Sequence, residues 1–126
     1  MNKRIFVTGA VLCLLAVVLG AFGAHALKSR VELSDLENWK TAVQYQFFHA
    51  LALIFLSNTK LPAGLAGSSS WIFLAGVILF SGSLYLLSTR SISGISAGIL
   101  GPLTPIGGLF LIAGWVMLII GAVKIK

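Results

Sequence analysis

The stretch "GAHALKSRVELSDLENWKTAVQYQFFHALALIFL", residues 23–56, holds both histidines of the chain, His25 and His49, and all three acids, Glu32, Asp35 and Glu37. Its first half is polar and charged, whereas its second half is apolar but interrupted by Gln44, Gln46 and His49. Either side of it the sequence is almost unbroken apolar residues. The stretch therefore reads as a connector in the membrane interface that runs down into a membrane helix. Of the 126 residues 58 % are hydrophobic and only 10 % charged, where a soluble domain carries about 25 % charged residues. A mean hydropathy of +1.03 does not suit a surface facing water. The composition predicts an all-α, polytopic membrane protein made of one domain, residues 1–126.

Four spans are expected, at about 5–27, 39–56, 71–87 and 104–123, since roughly 20 apolar helical residues cross a hydrocarbon core about 30 Å thick. Lys3, Arg4 and the "AHA" at Ala24–Ala26 imitate a cleavable signal, but the apolar run exceeds the about 7–15 residues usual there. On the residues alone, cleavage stays open as the lesser alternative. The second helix is expected to start in the interface near Ser34, because Ser34 and Glu37 have capping-box spacing and Asp35 and Glu37 suit the positive end of the helix dipole. "SNTKLPAGLAGSSS", residues 57–70, reads as a loop broken by Pro62 and glycines, with Trp71 at the interface. "STRSISGISAGILGPLTPIGG", residues 88–108, is too apolar for an ordinary loop and too rich in glycine and proline for a full span. It suggests a short interfacial or re-entrant piece, tolerated where protein or water covers it. Thr104 as cap and Pro105 as first helical residue would start the fourth span.

The nine cations stand in ones and twos at the ends of apolar runs, as snorkelling anchors do. The net charge of +6 therefore does not point to nucleic acid, which would want a basic patch with exposed aromatics. Lys3, Arg4, Lys60, Lys124 and Lys126 fall on the side of the termini, against Lys28, Arg30, Lys40 and Arg90 opposite. This small excess favours both termini in the cytoplasm. Cys13, the single cysteine, reads as a packing residue in the first span. Membrane helices associate through small residues. Ala16, Gly20 and Ala24 at intervals of four, with Gly23, offer such a face on span one, and Gly107, Gly108 and Gly114 offer another on span four.

If hydrocarbon begins near Thr41, then at 1.5 Å per residue Gln44 lies about 5 Å deep, Gln46 about 8 Å and His49 about 12 Å, with His25 at about 3 Å. The polar groups thus share one end of the bundle, on the side away from the termini, where Thr104 also arrives. Trp39, Tyr45, Gln46 and His49 lie on one broad helix face, with Gln44 nearly opposite Gln46. Two readings of Gln46 and His49 stand side by side: interhelical hydrogen-bond glue, or polar contacts for a ligand. A metal or haem is disfavoured, because the two histidines differ in depth by about 9 Å and no carboxylate lies within a span to complete a ligand set. No cofactor is implied, and no hydrolytic triad or other catalytic residue is assigned.

"LGAFGAHALK", "WKTAVQYQFFHALALI" and "GPLTPIGGLFLIAGWV" together resemble domain-of-unknown-function family 423, small membrane proteins that include bacterial inner-membrane members and a human relative, transmembrane protein 256. The resemblance covers nearly the whole chain. It implies four spans, a retained first helix and a bacterial cytoplasmic membrane, but no activity.

The expected function is binding of a small molecule or lipid in a polar pocket near the non-cytoplasmic side. His25, Trp39, Gln44, Tyr45, Gln46, His49 and Thr104 are the candidate contacts, with the amino end of span four offering amides to an anion or carbonyl. The alternatives are a structural or accessory subunit that docks partner helices and an oligomeric proton- or ion-conducting assembly; an intramembrane enzyme with His49 as base is the weakest. Membrane lipid is the expected partner, with a homo-oligomer or a partner membrane protein as further ones.

Overall fold

The computed structural model describes residues 1–126, and every regular element in it is helical. Helix α1 spans Lys3–Phe22 and continues as a π-helical turn, Gly23–Leu27. Helix α2 spans Leu33–Ser57, α3 Ala63–Ser88, the single turn α4 Arg90–Ser93, and α5 Ala97–Val123. Lys3–Leu27, Ala63–Ser88 and Ala97–Val123 are long and apolar enough to cross a membrane. Helix α2 is equally long, at 25 residues, but Gln44, Gln46 and His49 dilute its apolar character.

Helix α2 packs against both α1 and α3, and α3 also packs against α5. Neighbours run antiparallel: Gly9 faces Ala50 and Ile54 while Gly23 faces Trp39, and Gly107 faces Phe80 while Gly114 faces Phe73. The amide of Asn2 donates to the Ser57 carbonyl at 2.8 Å, so α1 begins where α2 ends. Near that end a core of Ile5, Leu53, Leu56, Phe73, Val77 and Leu111 draws on all four long helices.

The α3–α5 seam has a repeat of seven. Gly107, Gly114 and Gly121 on α5 receive Phe80, Phe73 and Leu65, and Gly76 on α3 receives Leu111. Thr104 meets Ser83, their hydroxyls 2.6 Å apart. Ser69, Gly76 and Ser83 are likewise seven apart, so the register puts Leu118 opposite Ser69. Alternating small and large residues let two backbones approach closely, the condition for helix association without a hydrophobic drive. Ser69 is fully buried with its hydroxyl unpartnered; its place in this repeat explains a small residue there, chosen for size.

Three helix starts differ from those expected. Helix α2 begins at Leu33 with Glu32 as cap and no side-chain capping bond, two residues ahead of the register that the Ser34–Glu37 box requires; Asp35 does lie in the first turn. Helix α3 begins at Ala63, directly after Pro62, rather than at Trp71. Gly64 and Gly67 reduce helix propensity there by only about 1 kcal/mol each, and Leu65, packed at Gly121, ties the turn down. Helix α5 begins at Ala97, capped by Ser96, whose hydroxyl accepts from the Gly98 amide at 3.2 Å, so Thr104 is not its cap. Residues 97–108, just over half of the expected interfacial or re-entrant piece, are therefore the first three turns of α5. Pro102 and Pro105 lie inside the helix, where each removes a bond to the carbonyl four residues earlier. Those carbonyls belong to Gly98 and Gly101, both exposed, so other groups can reach them. Gly94, at φ 74°, ends α4 in the left-handed conformation that glycine adopts without strain.

Candidate functional site

The polar residues of α2 form a belt between the apolar core and the end away from the termini. Trp39 is buried, and its indole Nε1 donates to the Leu19 carbonyl of α1 at 2.8 Å. Its ring fits against Gly23, where a β-carbon would stand 2.5 Å from the indole, and meets Tyr85 edge-on at 4.6 Å between centroids. One turn deeper comes Ala42, whose carbonyl accepts from the Ser81 hydroxyl at 2.8 Å, and a second turn down the buried Gln46. Gln46 Nε2 donates to the Leu12 carbonyl at 2.8 Å, and its Oε1 accepts from the Tyr85 hydroxyl at 2.7 Å. This one side chain joins α1, α2 and α3.

His49 continues the belt towards α5. Trp115 Nε1 donates to His49 Nε2 at 3.0 Å. An indole N–H can only donate, so Nε2 carries the lone pair. The proton then sits on Nδ1, which donates to the Tyr45 carbonyl at 2.7 Å. His49 is thereby the neutral Nδ1–H tautomer with both nitrogens occupied. Phe73 packs on its ring, with centroids 5.3 Å apart, and Phe73 in turn meets Trp115 at 4.9 Å. A metal or a transferable proton at His49 would displace one of these two bonds. No group of three or more His, Cys, Asp and Glu residues is placed to hold a metal ion.

The remaining candidates lie as follows. Thr104 bonds Ser83 across the α3–α5 seam. Tyr45 packs against Phe80 with the rings tilted and their centroids 4.6 Å apart, and is itself exposed. Gln44 and His25 are exposed, His25 within the π-helical turn. The structure thus brings Trp39, Gln46 and His49 into one belt with Thr104 on the neighbouring seam, and leaves His25 and Gln44 outside it. Among the small residues, Ala16, Gly23, Gly107 and Gly114 are buried; Gly20 touches Val43; Gly108 is in ordinary contact with Phe80; Ala24 is exposed. Tyr85, Trp115, Ser81 and Ser83 belong to the belt or the seam but are not among the candidate contacts expected from the sequence. The seven-residue spacing could have drawn attention to Ser83; nothing local marks the two aromatics.

A large open groove lies between the second half of α2 and the last turns of α5, with a volume of about 1240 Å³. Phe48, Phe55, Trp115 and Ile119 are among its walls, and Asn58, Thr59 and Lys60 stand at the end nearest the termini. Trp115 belongs both to the groove and to the belt. A smaller cavity of about 350 Å³ at the opposite end is lined by Phe22, Arg30, Thr89 and Ser93 among others.

Long apolar helices, tight small-residue seams and polar side chains bonded inward define a helical membrane protein. The chain belongs to the family described as "Protein of unknown function (DUF423)", whose model matches residues 19–108. It is 44 % identical over 125 residues to the UPF0382 membrane protein YwdK of Bacillus subtilis, covering 97 % of this chain and 98 % of that one. It is 41 % identical over 126 residues to the UPF0382 membrane protein SH2409 of Staphylococcus haemolyticus, covering 97 % of each. No solved structure matches the chain.

Proposed function

We propose that the chain crosses a bacterial cytoplasmic membrane four times, with both termini in the cytoplasm, and binds a lipid or other membrane-dissolved small molecule. The fourth crossing follows from direction. Helices α1 and α3 run parallel and start at the same end, so if both cross, α2 must return the chain between them. Its length supports this, since 25 residues reach about 37 Å, and Trp39, Gln46 and His49 turn their polar atoms inward. The excess of cations at the termini end supports the orientation. In a Cys13→Ser background, an impermeant maleimide is expected to label Arg90→Cys in intact cells and Lys60→Cys only after permeabilisation. Labelling of both in intact cells would overturn the topology.

The groove between α2 and α5 carries the binding reading. Its volume exceeds the about 300–1,000 Å³ of ordinary small-molecule pockets, and 12 of its 15 lining residues are hydrophobic. The polar belt serves this reading as scaffold, because Gln46 and His49 already have protein partners. A ligand in contact with either would have to replace those bonds. Ala122 lines the groove and is exposed, so Ala122→Trp fills space without disturbing the core. Native mass spectrometry of protein extracted gently from its own membrane is expected to find a retained small molecule or lipid in the wild type and severalfold less in this variant. Equal retention would remove the groove from the proposal.

A further inference from the structure

We propose that the occupant of the α2–α5 groove is an anionic phospholipid from the leaflet on the termini side, one acyl chain lying in the groove and the headgroup phosphate at Lys60. This rests on the groove-binding reading above and adds the ligand class and its contact.

Length is the first argument. From Phe48 to Ser57 the α2 wall rises about 14 Å, and from Trp115 to Val123 the α5 wall rises about 12 Å. Half of a hydrocarbon core is about 15 Å. The groove therefore spans one leaflet and closes near the midplane at Phe48 and Trp115. A partner transmembrane helix would need a seat the full height of the bilayer, about 20 residues. It would also want small residues along the seat, and this groove is walled by Phe48, Phe55, Trp115 and Ile119. Its small-residue seams are already occupied by the chain's own helices.

Charge is the second argument. Lys60 lines the groove itself. Lys3, Arg4, Lys124 and Lys126 lie towards the same end of the bundle, while all three acids, Glu32, Asp35 and Glu37, are at the far end of α2. None of these three acids competes for Lys60, so a headgroup of net negative charge brings the complementary charge to the position where the apolar walls give way to polar residues. At the deep end, the one polar atom of Trp115 is occupied by His49, which leaves an apolar wall for the chain terminus.

The test uses the full-length protein in nanodiscs made from equal amounts of phosphatidylglycerol and phosphatidylcholine with identical acyl chains, read by native mass spectrometry. The wild type is expected to retain phosphatidylglycerol over phosphatidylcholine by about fivefold, the ratio that one lysine near an anionic surface supplies. Lys60→Ala should bring the ratio close to one with total retained lipid little changed, and Ala122→Trp should lower both lipids together. Equal retention of the two by the wild type would overturn the anionic class while leaving the groove reading standing. A preference untouched by Lys60→Ala would overturn the headgroup contact. Retention untouched by Ala122→Trp would overturn the groove reading itself, as would a second protein chain retained in place of lipid.

Discussion

Replacing Gly107 by alanine is expected to loosen the α3–α5 seam more than any other single added methyl group. A β-carbon there would run into the backbone of α3, at Phe80 N, with the Leu79 carbonyl carbon and the Phe80 Cα both 2.7 Å away. A flexible side chain can swing aside, but a hydrogen-bonded helix backbone cannot, so the whole seam must open. Opening it separates Phe73 from Gly114 and Leu111 from Gly76, which share the register. Overpacking a core costs about 1–3 kcal/mol, and Gly107→Ala belongs at or above the top of that range. The neighbouring Gly108→Ala meets only the edge of the Phe80 ring, at 3.7 Å. Gly82→Ala meets nothing within 4 Å and gains up to about 1 kcal/mol of helix propensity. Unfolding of the three variants in mild detergent, followed by helical circular dichroism, should rank Gly107→Ala far below the other two. If Gly107→Ala and Gly108→Ala lose the same stability, the close seam is not present in the folded protein.

The second large effect is expected at Gln46. Gln46→Leu keeps the volume near that of the wild type but removes the acceptor of the Tyr85 hydroxyl and the donor to the Leu12 carbonyl. The carbonyl retains its own helical amide, so its loss is small. The hydroxyl of the half-buried Tyr85 is left without its partner, and an orphaned buried group costs about 1–3 kcal/mol. Interhelical hydrogen bonds within membranes average only about 0.6 kcal/mol, so most of the loss comes from the orphan. Tyr85→Phe removes that orphan. The double variant Gln46→Leu/Tyr85→Phe should therefore be more stable than the sum of the single losses predicts, by about 1 kcal/mol. Strictly additive losses in this cycle would mean that the two side chains are not bonded.

Much of the helix pattern is legible in the sequence. The apolar runs at 5–27, 71–87 and 104–123 fall inside α1 with its π-turn, α3 and α5. The polar half of residues 23–56 does separate α1 from the apolar part of α2. Helix starts were less legible. Pro62, Gly64 and Gly67 carry the local signals of a loop, and Pro102 and Pro105 those of a helix boundary, yet all but Pro62 lie inside helices. Local propensity amounts to about 1 kcal/mol per glycine and about 3 per proline. Here contacts such as Leu65 on Gly121, and the bond between Thr104 and Ser83, outweigh it.

The candidate site was legible in its residue types and not in its pairing. Gln46 and His49 stand out because polar side chains in an apolar run need partners. Their partners are Tyr85 and Trp115, 39 and 66 residues further along the chain, and each looks in sequence like one more aromatic in a span. The groove had no sequence signal at all. Phe48, Phe55 and Trp115 are ordinary span residues until α2 and α5 are both placed on α3 with a gap between them.

The sequence by itself therefore determined that this is a helical membrane protein with Gln44, Gln46 and His49 interrupting one apolar run, because hydropathy and length are sums over neighbouring residues, and three local motifs carried the resemblance to its family. Only the tertiary structure decided which of those polar atoms satisfy one another and where apolar walls stand open. Hydrogen bonds of about 3 Å and a gap between helices depend on residues far apart in the chain reaching the same place, and no local sum contains that distance.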